Sequence, residues 1–424
     1  MGSESLDRED IDLYMWQDKL DPVDYVEATY YIETLVEPEL AAVAMAKEQS
    51  SSTRKVPGVA PGYDLSPYNA RVTSVEPLGE TEDTMLSAYR LNTNVYQAGI
   101  YRKKGYWRAT VRIAFPVANF GPSLTNFWNA IGGELHRMGF LNALKLLDLD
   151  FPKPFLDQFT GPLYGVSGIR SQLHITERPI FCRSARPAVG LTTEIMLNIN
   201  ENVLRGGFDA VKDDELTCDT PLSPFMDRIN RMVNLVRRME DETGERKYYI
   251  ANIIGDPSRT LEFADIAART GVNALLVSAP IQGFAITGEI ARRTGLAVLS
   301  HNSWEDVFTR HPRFGISHAL YFKMQRLCGA DMLVLPGDFA TDAMDEEEAR
   351  KWVEACMGPL GNIRPALPII AGGKSPERLQ QYVNTIGSTD FMIIAATAVD
   401  NHPSGIEAGA RAFREAWLKI AAKG

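Results

Sequence analysis

One lysine and three carboxylates stand side by side at Lys212, Asp213, Asp214 and Glu215, directly behind the apolar run of GGFDAV. A hard divalent cation such as Mg2+ takes oxygen ligands and few protein groups, so carboxylates gathered at the mouth of a strand can hold one. A solvated turn with an internal ion pair has the same composition. What separates the two readings is whatever else converges there. His301 in SHN offers a proton-transfer group, while Gly372-Gly373 in AGGK and Ala396-Thr397 in AATA are small-residue turns whose backbone N–H groups can cradle a phosphate. Singly, each has an ordinary structural explanation: His301 as a hydrogen-bonded core histidine, AGGK as a tight turn.

The elements that must position these residues are legible in the second half of the chain. Short β-rich runs at 178–184, 206–212, 247–254, 273–280, 295–301, 331–337, 366–373 and 390–397 alternate with amphipathic stretches, several of them closed by glycine. Eight βα repeats in about 250 residues have the size of a TIM barrel, whose active sites gather at the C-terminal ends of the strands. Those ends carry Arg183 and Arg186, then Lys212 to Glu215, Asp256, Ser278, His301, Asp338, Gly372-Gly373 and Thr397. An acidic cluster and a histidine on one rim suit a cation and a proton transfer, and small-residue ends on strands seven and eight suit a phosphate. The first part lacks the alternation. VEATYYIET, ARVTSVEPL, SAYRLNT and YWRATVRIAFP read as strands, whereas EPELAAVAMAKEQ and SLTNFWNAIGGELHRMG read as helices, which predicts an α+β domain on an antiparallel sheet. The Pro- and Gly-rich segment DFPKPFLDQFTGPLYGVSG is the expected linker, giving domains at 1–160 and 161–424 with the boundary near 150 to 165.

Composition excludes several function classes. The 424 residues are 45% hydrophobic and 23% charged, enough for a large core. Lys plus Arg number 44 against 54 Asp plus Glu, a net charge of -10, which argues against an electrostatically driven nucleic-acid partner. No apolar run reaches the length of a membrane span and the start has no signal-peptide pattern, so a cytoplasmic protein is expected. Cys182, Cys218, Cys328 and Cys356 lack CxxC spacing and read as reduced, packed thiols.

With these motifs in place, the sequence resembles the RuBisCO superfamily. GGFDAVKDDE is similar to the family's strand-two motif, and EATYYIET, EQSSST, GPLYGVSGIR, RPAVGLTTE, SHN, AGG and HPSGIEAGA extend the likeness over almost the whole chain. The resemblance implies a ferredoxin-like α+β N-terminal domain on a (β/α)8 barrel. It also implies Mg2+ held by Asp214, Glu215 and Lys212, the lysine converted by CO2 to a carbamate. It implies a homodimer or assembly of dimers, in which Glu48 and Thr53 of one subunit reach the neighbour's barrel, and a phosphorylated small-molecule substrate at Gly372, Gly373, Ala396 and Thr397.

The departures from the carboxylase pattern narrow the activity. Where carboxylases resemble KPKxGL after strand one, this chain has RPAVGL, with Arg186 and Ala188 at the two lysine positions, and the strand-six loop LPGDFATDAMDEEEAR has no lysine to meet CO2. The second phosphate's arginine and histidine positions hold Asn302 and Val334, so a substrate with one phosphate is expected. Glu134 stands where carboxylases have asparagine and the family's methionine-salvage enolases have a catalytic lysine. It reads equally as a base reaching across the dimer or as a solvent-facing helix residue. The expected protein is RuBisCO-like, with no CO2 fixation: an Mg2+-dependent lyase or isomerase using Lys212, Glu134, His301 and Arg186. It would form an enolate of a keto-sugar phosphate or its acid, of the 3-oxo-isoapionate 4-phosphate type. Two alternatives stay open: the methionine-salvage enolase acting on 2,3-diketo-5-methylthiopentyl 1-phosphate, and a silent sugar-phosphate-binding paralogue.

Overall fold

Strands β1 (Tyr25–Thr34), β2 (Arg71–Thr81), β3 (Tyr106–Pro116) and β4 (Leu141–Asp150) form an antiparallel sheet in the order β4-β1-β3-β2. Helix Pro38–Glu48 lies between β1 and β2 in sequence, and helix Leu124–Gly132 between β3 and β4. That βαββαβ order is the ferredoxin-like arrangement. Its cause is visible in β1, where Val26, Ala28, Tyr30 and Ile32 alternate into the core at 0 to 1% exposure. In the computed structural model, which describes residues 8–52, 60, 62–85, 104–217, 219–341 and 344–422, the chain divides into two compact units. The first is Met1–Phe159 with Asp306–Tyr321, the second Thr160–Glu305 with Phe322–Gly424.

Residues 306–321 thus join the first unit, which no boundary drawn by sequence position provides. They add strand β10 (Phe314–Ile316) parallel to β4, and Lys145 ties the segment down by donating to the Thr309 and His311 carbonyls at 3.0 and 2.7 Å. A three-residue strand carries too little period to be read from sequence. β4 itself, LNALKLLDLD, begins with six consecutive buried residues and shows no alternation there, so it too escapes pattern reading. The strand expected at SAYRLNT lies outside the described residues.

The second unit is a closed barrel of eight parallel strands: β5 (Ile180–Ser184), β6 (Ala210–Lys212), β7 (Tyr248–Asn252), β8 (Ala274–Val277), β9 (Ala297–Ser300), β11 (Met332–Val334), β12 (Leu367–Ile370) and β13 (Met392–Ile394). Each of the eight β-rich runs yields one. Outward-facing residues pack on the helices, as where Phe181 and Phe208 meet Phe413 of helix Ile406–Ala421 at 5.7 and 5.4 Å between ring centroids. That helix comes so close that a Cβ on Gly206 would sit 2.4 Å from the Glu407 carbonyl oxygen, which accounts for the first glycine of GGFDAVK. Cys182, Cys328 and Cys356 are buried and unpaired, and burial pushes the Cys182 and Cys328 thiols up to about 12. Among the described residues no helix is long and apolar enough to cross a membrane.

Candidate active site

Period-two alternation decides which side chains reach the barrel's mouth. The buried interior takes alternate residues of each strand, for example Ile180 and Cys182, Ala210, Ala297 and Leu299, Leu367 and Ile369, Met392 and Ile394. One further step of two reaches Ser184, Lys212, His301, Ala371 and Ala396. All five line a cavity of about 240 Å³, together with Arg186, Glu215, Gly372, Gly373, Lys374, Ile394 and Thr397.

The intervening residues turn away from the cavity. Asp213, 1% exposed, accepts hydrogen bonds at one oxygen from the Tyr249 hydroxyl at 2.9 Å, the Asn252 N–H at 3.1 Å and Arg228 at 3.2 Å, so it is a structural carboxylate anchoring helix Phe225–Thr243. Arg183 likewise points outward from β5. It grips both oxygens of Asp400 at 2.9 Å and donates to the Arg186 carbonyl at 3.0 Å, tying the first strand's end to the segment that begins with Thr397.

Asp214 and Glu215 are held more loosely. Asp214 is fully buried; one oxygen accepts from the Leu216 N–H at 3.1 Å, and the other faces Arg186 Nε at 3.3 Å and Ser184 Oγ at 3.4 Å. Glu215 Oε2 lies 3.4 Å from Lys212 Nζ and 3.3 Å from His301 Nε2, with Arg186 3.9 Å from Oε1. Lys212 Nζ donates to the Asp213 carbonyl at 2.8 Å. Burial acts to raise the Glu215 carboxyl, but the attraction of His301 and Lys212 outweighs it and leaves the group below its ordinary value. Burial and then the Lys212 charge push His301 down to about 4 despite Glu215, so the imidazole is neutral near pH 7. Its Nδ1 accepts from the Ser303 N–H at 3.2 Å, which assigns the proton to Nε2, facing Glu215.

The donor set fits a hard cation on one condition. Asp214 and Glu215 keep lone pairs with no partner closer than 3.1 Å among the described residues, whereas one oxygen of Asp213 takes three hydrogen bonds at 2.9 to 3.2 Å. Asp214, Glu215 and His301 do not by themselves make a three-ligand group, and an ammonium at Lys212 would repel a metal. A carbamate on Lys212 would reverse that sign and add the missing oxygen.

The expected rim residues Arg183, Asp213, Asp256, Ser278 and Asp338 are not among those lining the cavity, and Asp214 lies buried behind its wall, against Arg186 and Ser184. Glu48 and Glu134 belong to the first unit. Glu48 is exposed at the end of its helix; Glu134 follows helix Leu124–Gly132, half-exposed and ion-paired with Arg137, so it is not a residue on a helix face. Thr53 lies outside the described residues. Sequence reading missed Ser184 and Lys374. The strand period points to Ser184, and Lys374 follows directly on the two glycines.

Residues 23–155 match the family model of the ribulose bisphosphate carboxylase large chain, N-terminal domain, and residues 165–423 that of its catalytic domain. The chain belongs to the RuBisCO large-chain family. Within the family it groups with the RuBisCO-like proteins and not with the true carboxylases. The ribulose bisphosphate carboxylase-like protein of Allochromatium vinosum is 34% identical over 406 residues, 95% of this chain and 86% of that one. The 3-oxo-isoapionate-4-phosphate transcarboxylase/hydrolase of Xanthobacter autotrophicus is 28% identical over 394 residues, 92% of each chain. The dimeric archaeal Rubisco of Hyperthermus butylicus superposes with a TM-score of 0.84 at 27% identity, covering 98% of this chain and 94% of that one.

Proposed function

We propose that the protein is an Mg2+-dependent RuBisCO-like enzyme that withdraws a proton, or breaks a carbon-carbon bond, next to the ketone of a singly phosphorylated keto-sugar or keto-sugar acid. One observation carries the reading: a single small cavity has Lys212, Glu215 and His301 on one part of its wall and Gly372, Gly373, Ala396 and Thr397 on another. Lys212 as carbamate, Asp214 and Glu215 would hold the ion, which supplies Lewis-acid charge beside the ketone oxygen. Carbamate formation from the ammonium releases two protons, one to free the amine and one as its nitrogen joins CO2.

The chain's own residues do the rest. His301, with Nδ1 taken by Ser303, orients Glu215 and is not a free base. Arg186 cannot accept a proton, because a guanidinium stays charged at any working pH, so it replaces the family's lysine as a donor to a developing enolate oxygen. That leaves Glu134 of a second subunit as the base, and an exposed carboxylate is what a group acting across a dimer must be. Exposed Val189, Leu216 and Leu222, on segments leaving the first two barrel strands, support such a dimer. A phosphate would take backbone N–H groups at Gly372 and Gly373, whose φ angles of +77 and +61 only glycine adopts readily.

The substrate type follows the Xanthobacter relative, whose activity on 3-oxo-isoapionate 4-phosphate is a reaction of an acid sugar and not of ribulose bisphosphate. A methionine-salvage enolase would need a lysine where Glu134 stands. A silent paralogue would have no use for a buried Asp214 and a partly buried Glu215 left without short partners. The test is solvent deuterium exchange into a panel of phosphorylated ketoses and keto acids, with CO2 and Mg2+ supplied. Exchange should occur with at least one acid sugar phosphate, and Glu134→Gln should lose it while still binding Mg2+. Exchange that persists without Mg2+, or in Glu134→Gln, would sink the corresponding assignment.

A further inference from the structure

Lys374 lines the cavity wall, and the proposed reaction leaves its charge unused. It is 2% exposed, and Nζ donates to the Gly337 carbonyl at 3.2 Å and the Phe339 carbonyl at 2.7 Å, both on the loop after β11. The Tyr382 ring centroid lies 5.6 Å away. Among the described residues no carboxylate oxygen lies within ion-pair distance of it, although buried ammonium groups are ordinarily paired with an anion. A third N–H remains beyond the two carbonyls. Burial pushes the amine down to about 8, with Asp338 opposing and Arg378 reinforcing the shift. An ammonium placed this way lacks a counter-ion, and the cavity it lines has room for one.

The neighbouring backbone indicates what that counter-ion is. Lys374 directly follows Gly372 and Gly373, the left-handed pair whose conformation turns successive N–H groups into a concave anion nest. A Cβ on Gly372 would come 3.2 Å from both Cα and the carbonyl oxygen of Gly337, so the same close approach that requires glycine there brings the β11 loop under Lys374. We propose that Lys374 is a substrate-binding and specificity-determining residue, supplying the counter-charge to the phosphate dianion that the Gly372-Gly373 turn cradles. The proposal rests on the phosphate placement given under the proposed function. It explains why this loop can grip a singly phosphorylated substrate strongly. The strand-six loop has no lysine of its own, and its backbone instead holds a lysine from strand seven against the phosphate end of the cavity.

The test uses sulfate as the probe, because it stays a dianion across the working pH range. Its affinity is measured by isothermal titration on the full-length protein, with folding checked by thermal melts. Lys374→Gln should keep donors for the two carbonyls but lose the charge, and Lys374→Met should lose both. Each variant should weaken sulfate about ten- to a hundredfold, the range of one charge-assisted hydrogen bond, with Mg2+ affinity unchanged. Wild-type affinity in Lys374→Gln would overturn the proposal even if Lys374→Met is weak, since the lysine would then only position the loop. Thr397→Glu, an exposed site, should abolish binding by placing a carboxylate in the cradle. Sulfate binding that survives Thr397→Glu, or that is absent in the wild type, would refute the phosphate placement and this proposal with it. Loss in Thr397→Glu but not in Lys374→Gln would refute this proposal alone.

Discussion

The cavity wall carries two buried lysines, each at or beyond the end of a different barrel strand, and their charges are met in opposite ways. Lys212, 2% exposed after β6, faces Glu215 and sits beside Asp214, so its charge is balanced inside the protein. Lys374, also 2% exposed after β12, faces two carbonyls, and its charge is left for a ligand to balance. On the proposed reading, the lysine among carboxylates must itself change before a cation can enter. A lysine among carbonyls beside a glycine nest marks a place for an anion. Lys212 stands on the strand-two motif, while the loop after β11 has no lysine and Lys374 stands in the loop after β12.

The comparison can be broken at its strongest point by removing ligand charge at the β6 end. Asp214→Asn and Glu215→Gln should each cut turnover on the order of a thousandfold, since a Lewis acid contributes several kcal/mol to such steps. They should also abolish the Mg2+-dependent rise in melting temperature, with circular dichroism unchanged. Near-normal turnover in both variants would place the metal elsewhere. The third acid of the cluster should behave in the reverse manner. Asp213→Asn leaves the fully buried Arg228 without its counter-charge and should destabilise the fold by about 3–5 kcal/mol in urea titrations, while the surviving folded fraction still binds Mg2+. Equal effects of Asp213→Asn and Asp214→Asn on stability would erase the distinction between them.

The smallest effect is at Lys374 and is read through pH. Its folded value of about 8 lies below the ordinary 10.5, so between those pH values the unfolded chain holds a proton that the folded chain has released. Stability then rises with pH in that window, because the unfolded state binds more protons. The melting temperature of wild type relative to Lys374→Met should therefore climb between pH 8 and pH 10.5 and stay flat from pH 6 to 7. A difference independent of pH would mean that the ammonium carries no burial penalty.

Much of this was written in the sequence because it depends on short-range period and spacing. Eight β-rich runs separated by helical stretches are a local signal, so the barrel was countable. The parity of residues along each strand already separates Lys212 and Asp214 from Asp213, since alternate side chains of a strand leave on opposite faces. The strand-two motif and the missing loop-six lysine are likewise local facts. β4 escaped because six consecutive buried residues show no alternation, and β10 because its pairing with Leu144, Lys145 and Leu146 joins positions far apart in the chain.

The tertiary structure alone decided which charges are satisfied. That Asp213 is held by Arg228, Tyr249 and Asn252, that Arg183 is spent on Asp400, and that Lys374 finds only carbonyls are contacts of strand ends with helices, loops and neighbouring strands that barrel closure brings together. A sequence lists donors and acceptors, but burial and closure choose the pairs, and what a buried group lacks after pairing is what a ligand must supply.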